Sequence, residues 1–205
     1  MEPIQRVHYQ LERCAEDYNQ MIALEDIVQI EDTWHDFLTH IDRFWNLADR
    51  FFAQFEGWRE FRQPFLDARN DDELLNYLVV ARNTVEHTIQ EVQVRTATDI
   101  RIEPGEHGGT IRNLRIFEDG SHTAETHDSG GREGPGPVVS YRMKICLRPV
   151  QVADRRRANE VVNPPSRHRG KPIEPDAFLV ARLSFEYYRE FFTTACGKFL
   201  SPEAT

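Results

Sequence analysis

Cysteine is scarce and scattered. Cys14, Cys146 and Cys196 are the three in 205 residues, and none belongs to a CxxC pair. An odd number spaced so widely argues against a disulfide framework or a zinc site and for a reducing cytoplasm. No apolar run approaches the ~18 residues of a membrane span, so no membrane partner is expected. The opening stretch, "MEPIQRVHYQLERCAEDYNQ", places polar residues in every turn and lacks the apolar segment of a secretory signal. G-x-S-x-G, the P-loop and G-x-G-x-x-G are all missing, and nothing calls for a cofactor. Internal repeats are absent too. What is present is ordinary for a soluble domain: 40% hydrophobic and 29% charged residues in a chain long enough for one sizeable core.

Charge is unevenly spread. Residues 1–97 hold 9 Arg/Lys against 19 Asp/Glu, whereas residues 98–205 hold 16 against 15. An acidic half repels nucleic acid, but a local basic patch can still bind it. The densest patch is "DRRRANEVVNPPSRHRGK", with Arg155, Arg156, Arg157, Arg167, Arg169 and Lys171 against Asp154 and Glu160. A run of this kind is either a solvated loop or a phosphate-contacting segment.

Apolar residues step at helical spacing through most of the chain. Ile4, Val7, Leu11, Cys14, Tyr18 and Met21 form one stripe. A second helix is expected from Asp32 as N-cap, with Trp34, Phe37, Leu38, Ile41, Phe44, Trp45, Leu47, Phe51 and Phe55 facing inward. This aromatic stretch is the expected core, because aromatics bury the most area per residue. Gly57 and Pro64 punctuate the next segment. "NDDE" then reads as a capping box, Asn70 as cap and Glu73 reaching back, ahead of a helix from about 71 to 94. Its stripe is Leu74, Leu75, Leu78, Ala81, Val85, Ile89 and Val92.

After Thr98 the pattern changes. "GGTIRNLRIFEDGSH" and "GPVVSYRMKICLRPVQV" read as two strands of a β-hairpin inserted over 98–153, with a mobile connection over 118–137. "NPPSRHRGKPIEP" reads as irregular, since its prolines block a helix. A closing helix is expected near Asp176, striped by Phe178, Ala181, Phe185, Tyr188, Phe192, Ala195 and Phe199. The expected fold is mainly α: a single domain over 1–205, a bundle of four to five helices, with the β-hairpin before the C-terminal helix.

Several residues invite a chemical reading. His122, His127 and Asp128 could bind a metal, but they sit in a Gly-rich stretch with no evident helix or strand to fix them, so a solvated loop is the plainer reading. His35 and His40 on the aromatic helix are explained by capping or surface hydrogen bonds. Asp71 and Asp72 suit a helix N-terminus.

Arg82, Asn83 and His87 in "ARNTVEH" are harder to dismiss. Arg82 and Glu86 could make a plain i,i+4 salt bridge, and His87 could flank the apolar stripe. Yet a fixed cation suited to phosphate and a side chain that titrates near neutrality are the minimal kit for metal-free RNA cleavage. The histidine can take a proton from a ribose 2′-hydroxyl, and the arginine can stabilise the charge that develops on phosphorus. Five residues apart on a regular helix, the two point about 140° away from one another. They converge where two such helices face each other across a two-fold axis.

"ARNTVEH" resembles the Arg-x(4–6)-His motif of HEPN (higher eukaryotes and prokaryotes nucleotide-binding) domains, with Asn83 as the polar residue that usually follows the arginine. "WHDFLTHIDRFWNLADRF" resembles the aromatic helix of bacterial relatives, and the likeness covers roughly residues 30–95 and the closing helix. These domains are small helical bundles, many of them endoribonucleases that act as homodimers, often in toxins or phage defence. The resemblance therefore implies catalytic Arg82 and His87, a supporting Asn83, no metal or cofactor, RNA as substrate, and an antitoxin or regulatory protein as a partner. The hairpin is not part of the minimal family core. A non-catalytic HEPN-like module that binds a protein or nucleotide is the alternative, and a hydrolase using the histidine stretch is a third reading.

Overall fold

The computed structural model describes residues 2–87, 92–103, 109–117, 121–127, 137–152 and 160–201, and leaves the side chains of His87, Thr126 and His127 undescribed. The chain divides into two compact units, one formed by 1–92 with 147–205 and the other by 93–146.

The first unit is helical, as the spacing of apolar residues requires. Helix α1 (Pro3–Ala23) buries Val7, Leu11, Cys14, Asp17 and Met21. Helix α2 (Ile27–Phe52) buries ten residues of the aromatic stripe and its flanks, Trp34, Phe37, Phe44, Trp45 and Phe52 among them. It begins six residues earlier than the expected Asp32: Asp26 is the cap, its carboxylate accepting from the Val28 N–H at 2.8 Å. Both aspartates precede an apolar run, and the isoleucines at 27 and 30 extend the stripe backwards.

Helix α3 (Trp58–Asp71) starts after Gly57, whose φ of 75° is a conformation that favours glycine. Pro64 does not end this segment but lies within α3. Asp49 of α2 braces the two helices, accepting from Arg62 Nη1 at 2.6 Å and from Trp58 Nε1 at 3.0 Å. Helix α4 (Glu73–His87) is capped by Asp72, not Asn70. Asp72 Oδ1 accepts from the Leu74 and Leu75 N–H groups at 3.0 and 3.2 Å. Asn70 is consumed inside α3, so the capping box does not form there.

The helix does not run on to Val94. A strand, β1 (Gln93–Glu103), has begun by then. Two further strands, β2 (Thr110–Ile116) and β3 (His122–His127), pair antiparallel with a bulge between Arg112 and Arg115, while β1 pairs with β4 (Val138–Leu147). The expected single hairpin is therefore two ladders, and the expected connection over 118–137 holds a strand of its own. The polar alternation of "HTAETH" concealed β3, since neither face of it is apolar. The helical unit continues through two short ladders: β5 (Val150–Gln151) paired with β6 (Val161–Val162), and the hairpin β7 (Arg167–His168)–β8 (Lys171–Pro172). Arg169 and Gly170 at the tip of β7–β8 both have positive φ, 49° and 76°. That is the sign pattern of the two-residue turns that match strand twist. Helix α5 (Ala177–Phe199) is capped by Asp176, in accord with its sequence pattern.

Aromatic packing joins α2, α3 and α5. Phe44 meets Tyr188, Phe191 and Phe192, and Trp58 meets Phe52, Phe191 and Phe199. His40 is not a surface residue: its Nδ1 lies 2.6 Å from the buried Asp17 carboxylate of α1. Burial raises the pKa of Asp17 above the usual carboxylate value, with the His40 hydrogen bond working against it.

Asp72 also holds the β7–β8 hairpin, accepting from the Arg169 N–H at 2.7 Å and meeting His168 Nδ1 at 3.0 Å. Burial would raise its pKa, but these partners and the Leu75 N–H outweigh it and leave the carboxyl below its ordinary value. The contribution of that charge is therefore complete above the unfolded value of about 3.9 and is lost as pH falls through the folded one. Asp72→Asn should lower the melting temperature near neutral pH, and its gap from wild type should close as the pH drops below about 4. A gap that stays constant down to about pH 2 would show that the charge is not what matters.

Candidate functional site

Arg82 of α4 reaches Asp42 on α2, and its side chain is a fifth exposed. Its Nη2 pairs with Glu86 Oε2 at 2.9 Å, and its Nη1 donates to Asn83 Oδ1 at 3.0 Å. Its Nε sits 3.4 Å from Asp42 Oδ2, close enough for an ion pair but not aligned for a hydrogen bond, so this buried N–H has no acceptor. The i,i+4 pair with Glu86 that the sequence allowed is thus formed, and the guanidinium is fixed in one orientation.

Asp42 serves more than Arg82. It accepts from Asn46 Nδ2 at 2.9 Å and lies 3.8 Å from Arg69 Nη2. Arg69 is buried, with its guanidinium 4.3 Å from the centroid of Trp45 and 5.9 Å from that of Tyr188. The result is a partly buried network in which Asp42 and Glu86 balance Arg69 and Arg82. Sequence reading missed Asp42 and Arg69, because the acid on α2 and the base on α3 have no spacing in common.

His87 is the last residue described in α4. A regular helix up to that point keeps it about 7.5 Å further along the axis than Arg82 and about 140° around it. Arg155, Arg156 and Arg157 lie outside the described residues. Arg167, Arg169 and Lys171 belong to the β7–β8 hairpin, which is clamped to the opposite end of α4 from His87. Besides the Asp72 bonds, Glu73 Oε2 accepts from the Ser166 N–H at 2.8 Å, the Ser166 hydroxyl at 2.9 Å and the Arg167 N–H at 3.1 Å. The Ser166 backbone bond is the largest cause holding the Glu73 carboxyl below its usual pKa. Fourteen residues at 1.5 Å each put about 21 Å between Glu73 and His87. The basic hairpin and the catalytic candidate are therefore distinct places on one helix. Arg169 is further engaged, 2.7 Å from Glu190 on α5 and over the Tyr187 ring at 5.2 Å.

His122 and His127 prove to lie on a strand, β3, and not in a loop. His122 Nδ1 is 3.5 Å from the Tyr141 hydroxyl. Asp128 lies outside the described residues. Among the described residues, no three His, Cys, Asp or Glu side chains are grouped to hold a metal ion. Among them, too, no helix is long and apolar enough to cross a membrane.

Compared with protein-family models, with curated proteins and with solved structures, the chain gives no significant match.

The shared carboxylate makes a sharp expectation. Asp42→Ala leaves a buried arginine without its nearest counter-charge, a change that costs about 3 kcal/mol when a buried pair is broken. Arg69→Met keeps the volume, removes the charge and should cost less. Guanidinium chloride unfolding of the two variants checks the order; equal losses would mean that Asp42 contributes little to balancing Arg69.

Proposed function

We propose that the chain is a metal-independent endoribonuclease of the HEPN type, acting as a homodimer, with His87 as general base and Arg82 stabilising the transition state. The observation that carries the reading is the orientation of Arg82. A guanidinium fixed by Glu86, Asn83 and Asp42, yet still reached by solvent, requires little reorganisation when charge develops beside it. In the reaction, His87 removes the ribose 2′-hydroxyl proton and the 2′-oxygen attacks the adjacent phosphorus. The bond to the 5′-oxygen breaks, and that oxygen takes a proton from solvent water. The products are a 2′,3′-cyclic phosphate and a 5′-hydroxyl. By its resemblance, such an enzyme would work as a toxin or phage-defence effector under an antitoxin or regulator.

One observation favours the second reading, a non-catalytic helical module. The two carboxylates around Arg82 offset its charge, which weakens its pull on a phosphate. Purified protein separates the two. The enzyme cleaves RNA in EDTA, leaves a 2′,3′-cyclic phosphate end, and loses at least 100-fold in rate with His87→Ala, the low end of what a general base supplies. The module cleaves nothing. Activity that vanishes on chelation and returns with a divalent ion would instead point to His122 and His127.

Shared sites have a signature of their own. Arg82→Ala and His87→Ala chains, nearly inactive alone, should recover about a quarter of wild-type activity when mixed and allowed to exchange. Half of the dimers are then mixed, and each keeps one intact site by two-fold symmetry. No recovery would place both residues in one chain's site, and a monomer that cleaves RNA would end the dimer model.

A further inference from the structure

A groove of about 950 Å³ runs between the β7–β8 hairpin and α5, at the end of α4 remote from His87. Its lining mixes charged side chains of both signs with apolar ones. Lys171 comes from the hairpin, and Arg182 and Arg189 come from α5. The last two are seven residues, hence about 10 Å, apart on one helix face. Among the described residues, no carboxylate pairs with Lys171, Arg182 or Arg189. Glu190 also lines the groove but is taken by Arg169. Arg189 lies over the Phe185 ring at 5.4 Å, and Glu174 and Glu186 share the lining with the three cations. Ile173, Leu179 and Leu183 supply apolar surface between them.

This arrangement suits a chain of phosphates carrying flat apolar groups. Guanidinium forks match phosphate oxygens, and the aliphatic side chains between them give sugars and bases an apolar surface to lie against. The volume is at the upper end for a small-molecule site, so a short oligonucleotide fits it better than a single nucleotide. We propose that this groove binds the phosphodiester backbone of single-stranded RNA through Lys171, Arg182 and Arg189, holding the strand at a distance from the cleavage residues. The proposal rests on the ribonuclease reading for its choice of RNA, but not on the chemistry of His87. Arg169 is the wall and not a contact, since its guanidinium is occupied. His168 is likewise positioned by Asp72, so the wall is fixed before RNA arrives.

The test is fluorescence anisotropy with a fluorescein-labelled oligouridylate, in EDTA, across a salt series. Four proteins are compared: wild type, His87→Ala, a groove triple (Lys171→Gln, Arg182→Gln, Arg189→Gln), and a control triple that removes equal charge elsewhere (Arg6→Gln, Arg43→Gln, Arg50→Gln). The groove triple should reduce the slope of log K against log salt by about 2, at roughly 0.7 per contact on a single strand. His87→Ala should bind as wild type does, whether or not wild type cleaves. Circular dichroism confirms that each variant is folded; if the groove triple does not fold, the single variant Arg182→Gln should still reduce the slope by about 0.7. An unchanged slope, an equal loss in the control triple, or no wild-type binding at low salt would each overturn the proposal. Equal displacement of the RNA by oligoglutamate of the same charge would overturn it too, marking a site for acidic peptides. Binding lost in the groove triple while His87→Ala has no effect on cleavage would keep the groove and remove the active site.

Discussion

One carboxylate organises the junction of α3, α4 and the β7–β8 hairpin. Asp72 ends α3, caps α4 and holds the β7–β8 hairpin through His168 and the Arg169 N–H. Short two-stranded hairpins are marginal on their own in water. This one is fixed because a side chain with four acceptor positions is placed where two elements need donors satisfied. Glu73 repeats the arrangement one residue later with Ser166 and Arg167. A segment that reads as irregular thereby becomes a wall with a defined position against α5.

The second organising constraint is electrostatic. Charges buried between helices must be balanced locally, and Asp42 does this for arginines on two different helices. Aromatic rings take up the rest of Arg69, whose guanidinium is flat and weakly hydrated. The network gives Arg82 a fixed direction but reduces its net charge. The arginine gains in geometric definition what it loses in attraction for an anion.

Much of the helical part was legible in the sequence. The stripes of α1, α2 and α5 rest on repeats of three and four residues, and large aromatics mark which face is inside. Starts were less legible, because Asp26 and Asp32, or Asn70 and Asp72, are chemically equivalent caps and only packing chooses between them. Pro64 reads as a breaker, yet α3 accommodates it. The β segment misled more. Strand β3 has no apolar face, and β1 begins where the apolar stripe of α4 still continues in the sequence. Of the site, Arg82, Asn83 and the Glu86 pair were readable from adjacency on one helix. Asp42, Arg69 and the shared groove of Lys171, Arg182 and Arg189 were not, since they bring together residues on separate elements. The seven-residue spacing of Arg182 and Arg189 was the one available hint.

The carbonyl of Val92 accepts from the Arg148 N–H at 2.9 Å, and the buried Tyr77 hydroxyl lies within 2.9 Å of the Val92 carbonyl oxygen and 2.8 Å of that of Arg148. The chain thus leaves the helical unit and returns to it through one doorway a single peptide pair wide. The two ends of the intervening segment are joined there, and loop length alters closure entropy only logarithmically. Evolution can therefore lengthen, shorten or exchange residues 93–146 while the helices keep their register, with Tyr77 as the latch that any replacement would have to meet.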